Sequence, residues 1–393
     1  MRRPRRKAAA DGFPTRDVSL LGLVTIVAYG AWYYSFGVLL DPILEDTGWS
    51  ETWVTASFSG PAAVGALLAP TSGRLADRFP TTPLFLAAAI GAAVGFTTAS
   101  VSHSPVMFLA GSLLGGISLS GFAFYHVTQT AAIRLAPDRP AKAAGIVTLF
   151  GAFAATVYLP LSAYLSSMYG WRPALRMMTA ITASVLVLVA LLTSAHPTRR
   201  TRPAPTTMRG LFESTNAKRY AAATAGIGVA TGTVLVYQVP LMTSAGLTVT
   251  TAASIAGARG IAQFAGRLPI PWLTRTIGTQ RSLQLAFGAV AIGIALLAAA
   301  RHPVLAIAYV VIAGLGIGAI SPLQGVYASE LFDNRHLGHA MGVAAMIFGL
   351  SGAAGPLLVA VLSDMTDTRW WAIAVAAPAA AAATLLMSNT NPQ

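Results

Sequence analysis

Arg259, Gln263 and Arg267 stand at i, i+4 and i+8 in an otherwise apolar stretch. That spacing puts all three on one face of a helix. A charge at the centre of a bilayer costs at least about 2.5–3.5 kcal/mol, so such a face must meet a cavity or a partner. The stretch contains no acid. Two uncompensated guanidinium groups on one face make an electropositive site for an anion, and their fork suits a carboxylate in two-point contact. The plainer alternative for Arg267 is a structural pair with Glu330. Arg259 lies deeper by helix count.

Other polar groups share apolar surroundings. His126 sits within Phe122-Ala-Phe-Tyr-His-Val-Thr-Gln129. Histidine as a residue type titrates near neutral pH, which makes His126 a candidate proton carrier; a neutral ring bonded to a neighbouring helix is the alternative. Tyr29, Trp32, Tyr33 and Phe36 follow one side of a helix, where rings either sandwich a small organic molecule or simply pack. Tyr237 and Gln238 are weaker candidates of the same kind. Asp41, Glu51 and Glu330 lie near the ends of apolar runs. A coupled proton would therefore use His126, Asp41, Glu330 or the carboxylate of the cargo itself. No second His, Cys or carboxylate stands at ligand spacing, so neither a metal site nor a cofactor is expected. Gly-x-Ser-x-Gly and phosphate-binding loops are absent, which argues against an enzyme.

The elements holding these residues are membrane helices. Hydrophobic residues make up 55% of the 393 and charged residues only 10%, far from a soluble composition. Twelve apolar runs of spanning length fall near 18–40, 52–72, 82–101, 105–133, 141–166, 174–194, 219–243, 249–274, 281–300, 303–329, 338–362 and 370–387. The basic start, Met1 to Lys7, reads as a tail before a retained first span. Cysteine is absent, which excludes disulfides and thiolate chemistry.

The net charge of +13 is distributed by side. Arg74, Arg78, Arg134, Lys142, Arg275 and Arg335, with the basic tail and the central linker, fall on one side. Arg172, Arg176, Arg301 and Arg369 fall on the other. This is the positive-inside bias, and it predicts a multi-pass protein with both termini in the cytoplasm. The basic clusters then serve topology and anionic lipid, not nucleic acid.

The chain also repeats. His126 and Gln324, Gly151 and Gly349, Pro42 and Pro240, and Gly73 and Pro271 are each 198 residues apart. Tandem apolar halves predict an all-α membrane protein of two pseudo-symmetric six-helix bundles with a binding site between them. The expected parts are a cytoplasmic tail (1–17), a first bundle (18–194), a Pro-, Thr- and Arg-rich linker (195–218) and a second bundle (219–393). His126 and Gln324 should then both line the cavity. Gly91/Gly95, Gly111/Gly115 and Gly338/Gly342 suit close helix packing. Pro61, Pro160, Pro240, Pro322 and Pro356 predict kinks, either static or flexing.

Ser72-Gly73-Arg74-Leu75-Ala76-Asp77-Arg78-Phe79-Pro80 resembles the loop signature of the major facilitator superfamily, with Pro80 in place of a second glycine. Gly170-Trp171-Arg172 is another shared feature. The resemblance covers nearly the whole chain. It implies a secondary transporter, usually a monomer, in which Gly73, Asp77 and Arg78 govern the change of conformation. Within the superfamily, Phe36-Gly37-Val38-Leu39-Leu40-Asp41-Pro42, Gly48-Trp49-Ser50 and Arg139-Pro-Ala-Lys142 resemble the bacterial monocarboxylate and oxalate/formate group. That likeness implies a small organic anion as cargo, H+ as a candidate co-substrate and a bacterial cytoplasmic membrane. Arg267 matches the carboxylate-binding arginine of span eight in that group. Gln263 stands where those proteins carry a proton-coupling aspartate, and their lysines in spans one and eleven have no counterpart here. The competing expectation is a proton-driven efflux antiporter for drugs or metabolites. Such pumps often bury an acid in mid-membrane.

Overall fold

The computed structural model describes residues 13–193, 214–300, 302–332 and 337–388. The basic tail up to residue 12, most of the linker, Arg301 and Arg335 lie outside the described residues, as does the Asp77 side chain. Among the described residues the chain is helical and crosses the bundle twelve times. Span one is Thr15–Thr47, span three Thr81–Ser100, span four Pro105–Leu135, span five Pro140–Tyr169 and span six Trp171–Leu192. Spans seven, nine and ten are Thr215–Ser244, Thr279–Ala298 and Pro303–Leu331. Spans two, eleven and twelve are Glu51–Arg78, Leu337–Thr366 and Trp371–Ser388. Span eight is broken into Val249–Gly257, Arg259–Arg267 and Ile270–Ile277.

Two expected loops are shorter than the sequence suggests. Asp41, Glu45 and Asp46 stand on helix, which continues to Thr47 and stops where Gly48 turns left-handed at φ 64°. The Gly73–Arg78 signature is likewise the last turns of span two, and only Phe79 and Pro80 separate it from span three. Gly73 admits no close helix neighbour. A Cβ there would meet open space.

The packing repeats as the sequence does. In the first half, spans three and four, three and six, two and four, and one and five pack together; in the second, the matching pairs are nine and ten, nine and twelve, eight and ten, and seven and eleven. The halves meet through spans one and seven, two and eleven, and five and eight. The small-residue spacings set these approaches. A Cβ on Gly95 would lie 2.3 Å from the Gly115 amide, and one on Gly318 would lie 2.0 Å from the Gln263 carbonyl. Between halves, a Cβ on Gly260 would lie 2.3 Å from the Ala152 carbonyl, and one on Gly37 2.6 Å from the Val236 carbonyl.

At the end away from the termini, polar groups tie the halves together. The Glu51 and Thr52 amides open span two and donate to the Asp364 carboxylate of span eleven, both at 2.9 Å. That carboxylate caps the helix from across the interface. Arg369 pairs with Glu51 at 2.9 Å and with Asp41. Tyr237 donates to Glu51 at 2.7 Å. Burial works against the Arg369 charge, but Asp41 and Glu51 outweigh it and raise the guanidinium above its ordinary pKa. Within the first half, Asp46 accepts from Trp171 at 2.9 Å and from Arg172 at 3.1 Å, joining span one to span six.

Two outcomes follow from this packing. Gly318→Ala should force span eight off span ten and cost about 1–3 kcal/mol, read as a lowered melting temperature in detergent. Arg369→Ala should loosen the latch. In this cysteine-free chain, Val38→Cys beneath the latch would then react with a soluble maleimide roughly tenfold faster, the population shift given by about 1.4 kcal/mol.

Candidate functional site

Span eight owes its position to small residues. Gly257 and Gly260 lay its backbone against span five, where the Thr156 hydroxyl donates to the Gly257 carbonyl at 2.9 Å. Gly266 approaches the Leu315 carbonyl of span ten. With its small faces so used, its polar stripe turns to a central cavity of about 340 Å³ lined by Arg259, Gln263 and Arg267.

Arg267 is held by backbone oxygens on both sides of the cavity. Its Nη1 donates to the Thr148 carbonyl of span five and its Nε to the Gly318 carbonyl of span ten, both at 3.2 Å. The second contact has a cause in the sequence. Pro322 has no amide to give to the carbonyl four residues earlier, so the Gly318 oxygen is left for another donor. The suggested Glu330 pairing does not form; Glu330 accepts from Thr279 at the start of span nine instead. Arg259 is 2% exposed. Its Nη1 donates to Gln238 at 3.3 Å, and Tyr309 donates to the same Gln238 oxygen at 2.9 Å. Its Nε has no partner. Among the described residues no carboxylate pairs with either arginine, and none lines the cavity.

Span one supplies rings through a widened turn. Gly30–Tyr34 is π-helical, closed by the Ser35 amide and hydroxyl donating to the Gly30 carbonyl at 3.3 and 2.8 Å. Gly30 is required there, because a Cβ would sit 2.0 Å from the Tyr158 ring. The extra residue splits the expected stripe. Tyr33 and Tyr34 line the arginine cavity, whereas Trp32 and Phe36 are buried among Phe58, Phe96 and Phe108. Tyr29 stacks on Phe124 at 3.9 Å.

A second, apolar chamber of about 250 Å³ lies against the first half. Tyr29, Trp32, Tyr33, Phe58, Ala62 and His126 are among its walls, and it shares Tyr33, Thr231, Ala345 and Phe348 with the arginine cavity. His126 follows a break in span four at Ala123 and Phe124. Its Nε2 has no partner. Gln324, its counterpart in the repeat, lines the arginine cavity and donates to Thr224 at 3.2 Å. The two thus line adjoining chambers rather than one. Asp41 belongs to the latch, and Arg78 is an exposed residue at the end of span two. Tyr237 also joins the latch, whereas Gln238 holds Arg259.

Tyr34, Tyr125, Tyr220 and Ser321 line the cavity without having been singled out by sequence. Tyr34 is off the regular i, i+4 face and reaches the cavity only because of the π turn. Tyr125 does so because span four breaks just before it. No sequence signal marks either break.

A family model, the Major Facilitator Superfamily, matches residues 21–234 and 220–393. Monocarboxylate transporter 13 of the rat, Rattus norvegicus, is 24% identical over 341 residues, 84% of this chain and 78% of its own. A bacterial homolog of the human lysosomal transporter Spinster, crystallised inward-facing and unoccupied, shares the fold at a TM-score of 0.75 and 16% identity, over 97% of this chain and 98% of that one. The nucleoside transporter NupG gives a TM-score of 0.74 at 14% identity over 95% and 98%. At such identities the solved structures speak for the fold alone. With family matches across both halves, twelve spans in two equivalent sets and a cavity between them, the chain belongs to the Major Facilitator Superfamily and is a membrane transporter, not an enzyme.

Proposed function

We propose that the protein carries a small organic anion of the monocarboxylate type by alternating access. The observation that carries this reading is the absence of any carboxylate beside Arg259 and Arg267 in the central cavity, among the described residues. Two guanidinium groups held by neutral oxygens keep their charge available, and an incoming carboxylate supplies what the fold withholds. The likeness to a monocarboxylate transporter supports the same class. Gln263, Gln324, Tyr33 and Tyr34 shape the wall around the bound head group, with Tyr29 and His126 in the adjoining chamber.

The remaining assignments belong to the same proposal. The Lys and Arg bias puts the end with the termini in the cytoplasm of a bacterial inner membrane. The latch of Asp41, Glu51, Asp364 and Arg369 then closes the outer face. Gly73, Asp77 and Arg78 act at the inner end when the carrier reverses. The functional unit is a monomer of two bundles, 18–194 and 219–393. Proton coupling runs through His126, Asp41 or Glu330; of these, Asp41 has the most direct route, since neutralising it removes one of the two charges that hold Arg369.

The test is counterflow of labelled lactate, pyruvate, other short carboxylates and aromatic acids in proteoliposomes, with and without a pH gradient. Arg267→Ala should cut uptake at least about a hundredfold, and Arg267→Lys, which keeps the charge but loses the fork, roughly tenfold. Undiminished uptake by a well-folded Arg267→Ala protein would remove the anchor from the proposal. Accumulation driven by an inward proton gradient would establish H+ as co-substrate.

A further inference from the structure

The two chambers differ in chemistry and share a wall. All the charge lies in the cavity of about 340 Å³, on span eight. The neighbouring chamber of about 250 Å³ is lined by rings and small side chains from spans one, two and four, with Ala345, Phe348 and other residues of the second half closing it. A three-carbon acid occupies only part of the first. Together the two volumes, which adjoin at Tyr33, Thr231, Ala345 and Phe348, reach the scale typical of sites for larger organic molecules, roughly 300–1,000 Å³.

Two residues in the wall of the apolar chamber also carry unsatisfied, buried polar atoms. Trp32 and His126 line it, and Trp32 Nε1 and His126 Nε2 have no hydrogen-bond partner. Buried polar atoms ordinarily find partners, so two orphans in one chamber mark a place for a ligand group. Their capacities are complementary. The indole nitrogen can only donate. A neutral imidazole carries one acceptor nitrogen, and Nε2, which has no partner, is free to be it. A hydroxyl group both accepts and donates, and so answers both. The rings of Tyr29, Tyr33 and Phe58 around it suit an aromatic body.

We infer that the cargo is a hydroxylated aromatic carboxylate, with its carboxylate at Arg259 and Arg267, its ring in the chamber of the first half and its hydroxyl at Trp32 and His126. This rests on the anion reading above and narrows it.

The experiment compares lactate, phenylacetate and 4-hydroxyphenylacetate as counterflow substrates of the full-length protein in liposomes. The order expected is 4-hydroxyphenylacetate, then phenylacetate, then lactate, with about a tenfold step in kcat/KM for the hydroxyl. His126→Leu should bring the two aromatic acids to within about twofold of one another, because the polar partner is gone while the volume is kept. Ala62→Phe, which fills the chamber, should lower the ratio of aromatic to lactate uptake at least about tenfold. Ala69→Leu, on the same wall, replaces it if Ala62→Phe does not purify as a monodisperse protein. Lactate carried in an Arg267-dependent way, with aromatic acids excluded or indifferent to both substitutions, overturns this inference and leaves the anion reading standing. Failure of every carboxylate, or uptake that ignores Arg267, sinks both.

Discussion

In hydrocarbon every polar backbone group and every charge must find a partner inside the protein. At Gly318 two shortages resolve each other. Pro322 leaves the Gly318 carbonyl without its helical amide, and Arg267, with no carboxylate beside it among the described residues, donates to that oxygen. The guanidinium is thereby placed without being neutralised. A carboxylate in the same position would have fixed the side chain equally well, but it would also have cancelled the field in the cavity. Neutral oxygens orient a charge and leave it free to act. Arg259 follows the same rule on a deeper level, where the Gln238 oxygen takes one of its donors and a second, Nε, stays open.

Prolines and glycines work together elsewhere in the bundle. Pro240 frees the Val236 carbonyl, and Gly37 of span one lies against that oxygen at the junction of the halves. Pro356 frees the Gly352 carbonyl, and Gly232 of span seven lies against it, where a Cβ would come within 2.0 Å. In each case a helix loses an internal hydrogen bond, and the neighbour that covers the exposed oxygen is a residue with no side chain to obstruct it. Weak Cα–H contacts to such oxygens are available only at this distance. The prolines are thus more than kinks. They mark the places where one helix presents its backbone to another.

The fold was open to reading because a membrane writes it in composition. Twelve apolar runs, a 198-residue repeat and a one-sided Lys and Arg distribution all survive in the bare sequence. The arginine stripe was visible for the same reason, since a charge in an apolar run has few innocent explanations. The aromatic residues were harder. Tyr29, Trp32, Tyr33 and Phe36 look like one stripe at helical spacing, but the π turn at Gly30–Tyr34 breaks the period, burying Trp32 and Phe36 and presenting Tyr34. The interruption of span four does likewise for Tyr125 and for His126, which the repeat alone would place opposite Gln324. Helical periodicity locates a face only while the helix is regular, and the site lies where three of its helices are not. The latch was hidden for another reason: its partners Glu51 and Asp364 are 313 positions apart, and nothing local in either neighbourhood names the other.

The division of chemistry between the halves bears on how such a carrier could move. Charge sits on the second half and the apolar chamber mainly on the first, so a ligand that fills both must touch both. A ligand shifts a conformational equilibrium only by the difference in its contacts between states, and contacts confined to one half change little when the halves rock. Arg267 already spans the divide, through the Thr148 carbonyl of the first half and the Gly318 carbonyl of the second. In the proposed reading, a carboxylate that claims Nη1 draws it from Thr148 and replaces a direct tie between the halves with one that runs through the cargo. The empty and loaded carriers would then be held together by different bonds at the same guanidinium, with the latch at the opposite end setting the balance against which that exchange is felt.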